Sequence, residues 1–153
     1  MPLKEKIDND LLSALRAKDE VKLGTLRMVS AALHNREIEK RGKGETGSLT
    51  DEEVIEVVGR EAKKRKEAAT LFAEGGRKDL EAKELVELKI IEEYLPARLS
   101  EEELSKIVTA ALELVKPQGE KDFGRVMGEV MKHAKGRADG SVISALIKRS
   151  LNK

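Results

Sequence analysis

Apolar residues in this chain return at three- and four-residue intervals almost from end to end, and the pattern stops only at glycine, proline or a cluster of charges. That period places side chains on one face of an α-helix, whereas a half-buried strand needs alternation. No stretch alternates, so the expected fold class is all-α. Ile7, Leu11, Leu12 and Leu15 mark a first helix over about 3–18. Leu23, Leu26, Val29 and Leu33 mark a second over roughly 20–40, with Val21 and Met28 on a second face that predicts neighbours on two sides.

Punctuation fixes the rest. Arg41–Ser48 is glycine-rich and aperiodic, a connector and the chain's candidate mobile loop. Thr50-Asp-Glu-Glu53 and Ser100-Glu-Glu-Glu103 fit the capping box, in which a hydroxyl and a carboxylate exchange hydrogen bonds with orphan backbone amides at a helix start. The third helix carries Ile55, Val58, Ala62, Arg65, Ala69 and Phe72 at spacings of 3, 4, 3, 4 and 3, a coiled-coil-like seam with an arginine inside it. The expectation is that Arg65 lays its stem along the interface and emerges at the edge; the alternative is pairing with a neighbouring carboxylate. Arg60, Lys63, Lys64, Arg65 and Lys66 form a basic run, readable as a phosphate-facing surface or as a solvated face paired with Glu61 and Glu67. A fourth helix sets Leu80, Leu85, Leu88 and Ile91 until Leu95-Pro96, where proline forces the chain out of helical geometry. A fifth carries Leu104, Ile107, Val108, Ala111, Leu112 and Val115, and Lys116–Lys121 breaks it.

The division predicted is an N-terminal four-helix domain, 1–95, followed by a small C-terminal three-helix bundle, 96–153. The last two helices are signalled by Phe123, Val126, Met127, Val130 and Met131, then by Val142, Ile143, Leu146 and Ile147. Between them Lys135-Gly-Arg-Ala-Asp-Gly140 offers two glycines for angles that side chains resist, two cations, and an Asp able to cap the next helix.

Charge is uneven along the chain. The formal net charge is only +1, yet from Asp122 onward seven bases face three acids, a surplus of +4. Phosphate is the natural partner of clustered Lys and Arg. The candidate contact residues are Lys132, Lys135, Gly136, Arg137, Gly140, Lys148 and Arg149. Cations after a helix C-terminus also stabilise its dipole, an alternative reason for Lys135 and Arg137. With Phe72, Tyr94 and Phe123 the only aromatics, no platform for stacking single-stranded bases is available, so the RNA implied is a folded one read through shape and phosphates.

Signals for catalysis are missing. Cysteine is absent, which removes thiolate chemistry and disulfides. His34 and His133 fall in different predicted domains without the spacing of a helical zinc pair, and His133 reads as a partly buried structural residue. No phosphate loop or dinucleotide fingerprint occurs. The expectation is no catalytic residue, no cofactor and no metal. The N-terminus alternates charge and no run is long enough to span a membrane, which predicts a cytoplasmic protein with no membrane partner.

Four segments carry a resemblance: Leu26–Asn35 with Glu37–Lys40, Arg60–Lys66, Glu93–Leu104, and above all Gly128-Glu-Val-Met-Lys-His-Ala-Lys-Gly-Arg-Ala-Asp-Gly-Ser141. In this order they resemble the YqeY family, related to the C-terminal region of GatB, the tRNA-binding subunit of the glutamine-dependent aspartyl/glutamyl-tRNA amidotransferase. The resemblance covers the whole chain. It implies a helical N-terminal domain with a three-helix tail, and a tRNA-binding or tRNA-associated accessory role centred on Lys135, Gly136, Arg137 and Gly140. It also implies the family label of carbon–nitrogen ligase with glutamine as amido-N-donor, acting with amidotransferase-type or tRNA-synthesis proteins as partners. Nothing in it assigns a catalytic residue here. A helical protein-interaction scaffold is the third reading.

Overall fold

A computed structural model describes residues 1–152; Lys153, counted among the bases of the tail, lies outside the described residues. Among them there are seven α-helices and no strand: α1 Leu3–Ala17, α2 Glu20–Gly42, α3 Asp51–Glu74, α4 Lys78–Glu92, α5 Glu101–Val115, α6 Phe123–Ala134 and α7 Gly140–Leu151, with one 3-10 turn, Glu120–Asp122, leading into α6. The chain divides into two compact units, Met1–Leu95 and Pro96–Lys153.

In the first unit α1 and α2 form a hairpin with a two-residue link. Lys18 adopts a left-handed conformation at φ 58°, the Asp19 amide donates back to the Ala14 carbonyl at 3.0 Å, and the Asp19 carboxylate caps α2 by accepting from the Lys22 amide. The long α3 packs most extensively on α4, and α2 touches α1, α3 and α4. Ile7, Leu26, Leu33, Val54, Val58 and Ile91 are fully enclosed between them. Each such aliphatic side chain contributes about 1.5–3 kcal/mol by leaving water.

Several face assignments need correction. In α1 the inward residues are Ile7 and Ala14, flanked by Leu3 and Leu11, whereas Leu12 and Leu15 are each 47% exposed. At about 100° per residue, Leu12 points roughly 140° away from Ile7 and Ala14 only about 20° away, so the stripe runs through an alanine. Val21 and Met28 are half exposed. On α4, Leu85 is exposed because Leu80, Glu84, Glu87 and Ile91, spaced 4, 3 and 4 apart, share the other side. That side carries two acids, and one of them meets Arg65.

Arg65 is the largest departure. It is 4% exposed, so its head does not reach the edge. Nη1 bonds the Glu61 carboxylate at 3.3 Å and the Glu61 carbonyl at 3.4 Å, Nε lies 3.5 Å from the Glu87 carboxylate, and Nη2 points at the Met28 sulfur at 3.3 Å. Nε is close enough for an ion pair but makes no hydrogen bond of acceptable geometry. Desolvation explains the arrangement: an arginine head kept from water must be met by charge from its own helix and from the facing one.

The glycine-rich connector is anchored. Lys40, 8% exposed, donates from Nζ to the Ser48 carbonyl at 2.7 Å and to Glu53 Oε1 at 2.8 Å. Glu53 simultaneously completes the predicted capping box with Thr50. The Lys40 hydrogen bond and the Thr50 amide hold the Glu53 carboxyl below its ordinary range.

The second unit matches its pattern more closely. Its capping box at Ser100 is complete, and Leu104, Val108, Ala111, Val126, Val130, Ala134, Ile143 and Ile147 form one apolar cluster. Val142 is 47% exposed and lies outside it.

Candidate nucleic-acid interface

The turn between α6 and α7 is built by short-range bonds. The Lys135 amide closes the last turn of α6 on the Met131 carbonyl at 3.2 Å, and the Arg137 amide reaches the Ala134 carbonyl at 2.9 Å. Gly136 has φ 76°, the left-handed angle that a residue with a Cβ resists. Gly140 is ordinary: it opens α7, and a Cβ there would meet open space. The angular requirement thus rests on Gly136, not on both glycines. Asp139 supplies the cap, its Oδ1 accepting from the Ser141 amide at 3.0 Å.

Lys135 and Gly136 are exposed, and Lys132 stands one turn earlier on α6 with Nζ 2.9 Å from Glu129 Oε2. Arg137 is half-buried and already employed. Its Nε donates to the Ala97 carbonyl at 3.2 Å, and its carbonyl accepts from the Leu99 amide at 2.8 Å, so the turn clasps the segment that leads into α5. Only Nε of its five donors is used in that clasp, which aims the guanidinium without exhausting it.

Lys148 and Arg149 are exposed in the last turn of α7. Lys148 sits about 12 Å along the α7 axis from Gly140 at the 1.5 Å helical rise. Its Nζ lies 5.7 Å from the centre of the Phe123 ring at the start of α6. The seven candidate residues therefore form two groups at opposite ends of the α6–α7 hairpin: Lys132, Lys135, Gly136, Arg137 and Gly140 at the turn, Lys148 and Arg149 at the far end. Arg125, beside Asp122 at 3.5 Å, is nearer the second group.

His133 is exposed rather than partly buried. It edges a shallow groove between α5 and α6 lined by Ile107, Ala110 and Leu114, because it follows Lys132 outward while Val130 and Ala134 turn in. Among the described residues no group of three or more His, Asp or Glu side chains is placed to hold a metal, and no helix is long and apolar enough to cross a membrane.

In the first unit the basic run divides. Arg65 is internal, Lys66 half-buried and Lys64 paired with Glu61 at 3.2 Å; Arg60 and Lys63 face solvent. What the residue-level reading missed is Glu87, the partner of Arg65. Its signal was present: Glu87 occupies an inward position of the Leu80–Ile91 stripe, facing a helix whose own seam holds an arginine.

Residues 4–151 match the family model described as Yqey-like protein. A protein of Pyrenophora tritici-repentis named altered inheritance of mitochondria protein 41, mitochondrial, is 31% identical over 146 residues, covering 93% of this chain and 77% of that one. Proteins of the same name from Eremothecium gossypii and Kluyveromyces lactis are 32% and 28% identical over 127 residues, 81% of this chain and 67% and 66% of theirs. The chain thus spans about two thirds to three quarters of the length of these relatives.

Proposed function

Because this chain belongs to the Yqey-like protein family, we propose that it is a tRNA-associated accessory protein, a GatB/YqeY-like module that contacts folded RNA and has no catalytic centre of its own. In this reading residues 1–95 are a helical body and 96–153 a tail domain like that of GatB. The observation that carries it is the α6–α7 turn: an exposed Lys135 beside the left-handed Gly136, with Lys132 one turn away and an oriented Arg137, in a segment whose bases exceed its acids by four. A phosphate backbone is drawn to a cationic surface of this kind, and folded RNA read through shape needs no aromatic platform.

The contact is electrostatic, so binding of total tRNA in a gel-shift assay falls steeply as salt rises from 50 to about 200 mM. Lys132→Glu with Lys135→Glu removes the affinity and leaves helicity by circular dichroism unchanged. Arg137→Lys keeps the charge and loses the Nε clasp, so it separates contact from positioning. Absence of binding by the unaltered protein at low salt overturns the proposal.

A second reading has its own observation. Leu114 is 68% exposed above the α5–α6 groove, which suits a protein partner and hence a component of a glutamine-dependent carbon–nitrogen ligase or a helical scaffold. Capture of a protein that survives nuclease and the Lys132→Glu, Lys135→Glu double change supports that alternative. The fungal relatives are mitochondrial by name; the RNA-linked role holds for this chain in that compartment or in the cytoplasm, since each contains tRNA.

A further inference from the structure

The buried Arg65 head is poorly served at two atoms: Nε makes no hydrogen bond of acceptable geometry, and Nη2 has a weak partner. Nη1 has a carboxylate and a carbonyl, while Nη2 has only the Met28 thioether at 3.3 Å. Sulfur in a thioether is a weak acceptor. Met28 is nevertheless 52% exposed as a residue, and its contact with the guanidinium is only partly buried, which gives a small oxidant a route to the side chain. We propose that Met28 is an oxidisable site whose sulfoxide oxygen completes the hydrogen bonding of Arg65, so that modification by a hydroperoxide tightens the α2–α3 contact.

The chemistry balances with hydrogen peroxide as oxidant. A sulfur lone pair attacks one peroxide oxygen, the S–O bond forms as the O–O bond breaks, and the departing hydroxide collects the proton of the transferred oxygen and leaves as water. Sulfur loses two electrons to the peroxide. The product carries a polar S=O where the thioether was, and a hydrogen bond from a charged donor to such an oxygen is about twice as strong as a neutral one.

The usual consequence of methionine oxidation is the opposite, loss of apolar packing. Met127 and Met131, half-buried against the apolar cluster of the second unit, are placed for that outcome. Met28 differs because its neighbour is a cation with a spare donor.

The test uses the full chain with Met127→Leu and Met131→Leu, leaving Met1 as an internal standard for an open methionine at 81% exposure. Tyr94 is the only tyrosine and tryptophan is absent, so its fluorescence reports melting of the first unit alone. After graded peroxide treatment, peptide mass spectrometry finds Met28 as sulfoxide, and the Tyr94 transition moves up by about 2–4 °C. Met28→Gln, which places an amide oxygen at similar reach, shows the rise without peroxide, while Met28→Leu shows none and does not respond to peroxide. A Met28 still unmodified when Met1 is fully converted overturns the proposal. So does a transition that stays put or falls on oxidation, or a Met28→Gln protein no more stable than Met28→Leu.

Discussion

In residues 1–95 four polar side chains are carried inside, Thr25, Lys40, Glu61 and Arg65, whereas the eight buried residues of the cluster in 96–152 are all aliphatic. The first unit closes its interior with charge: Arg65 between Glu61 and Glu87, and Lys40 between Ser48 and Glu53. The second closes with Leu, Val, Ile and Ala and keeps its cations on the outside, apart from the half-buried Arg137. An internal ion pair stabilises little by itself, because desolvation opposes the attraction, but it makes any mismatched arrangement costly. Four helices with similar aliphatic stripes can pair in several ways. A seam arginine that needs Glu87 excludes pairings that leave it alone, a specificity role we infer for this unit.

The largest effect expected from this contrast comes from removing one member of the first network. Arg65→Ala leaves Glu87 without its arginine and Glu61 with only the exposed Lys64, and costs about 3–5 kcal/mol, read as a lower urea midpoint of the Tyr94 signal. Replacing all three groups, Arg65→Met with Glu61→Leu and Glu87→Leu, recovers most or all of that loss. If the triple variant is as unstable as the single one, the charges contribute attraction and not selection, and the comparison fails on that side.

The second unit is tested by making a hole. Ile147 is fully enclosed, and Ile147→Ala costs about 2–5 kcal/mol through lost burial and residual cavity. Loss of amide-exchange protection in α5, α6 and α7 measures it. Ile147→Val sits near 1 kcal/mol. No rescue by polar substitution is expected, since nothing polar is available there to pair with; a Thr as stable as the Val would show that this interior is wetter than its residues indicate.

How far the residues alone revealed these interiors follows the same division. The helices, both capping boxes, and nearly every core position of α5 and α6 were legible, because a purely aliphatic stripe announces its own direction. Where an alanine stands in the stripe, as Ala14 does, the larger Leu12 and Leu15 mask it. Where charge stands in the stripe, Arg65 is legible as anomalous and a neighbouring carboxylate as the alternative to a head at the edge; that alternative holds, but only its inward position sets the partner, Glu87, apart from the other acids. At the candidate site the turn was legible from Gly136 and Asp139. That Lys148 and Arg149 stand at the other end of the hairpin follows from helical rise alone; that Lys148 meets the Phe123 ring there does not, because neighbourhood between helices depends on register. The clasp of Arg137 on Ala97 was hidden for a simpler reason, a contact between residues 40 apart in sequence.

A smaller effect sharpens the comparison at its edge, where the first unit ends. Tyr94 is 5% exposed, its hydroxyl donates to Asp10 Oδ2 at 2.6 Å, and the Lys6 ammonium lies 4.9 Å from the ring centre. Burial first, then the hydrogen bond to Asp10 and the negative charges of Asp10 and Glu93, push the phenol well above its ordinary value near 10. The folded chain therefore keeps this proton at a pH where the unfolded chain has lost it. The stabilisation is complete below about pH 10, the unfolded value, and drains away as pH rises towards the folded one. The same Asp10 Oδ2 that accepts from the phenol lies 3.7 Å from the Lys6 ammonium. Melting of α1–α4, followed by circular dichroism between pH 9 and 11, should show this alkaline slope, and Tyr94→Phe should flatten it. An unchanged slope in Tyr94→Phe would mean that the phenol is solvated and that the polar interior of the first unit does not extend past α4 to Tyr94.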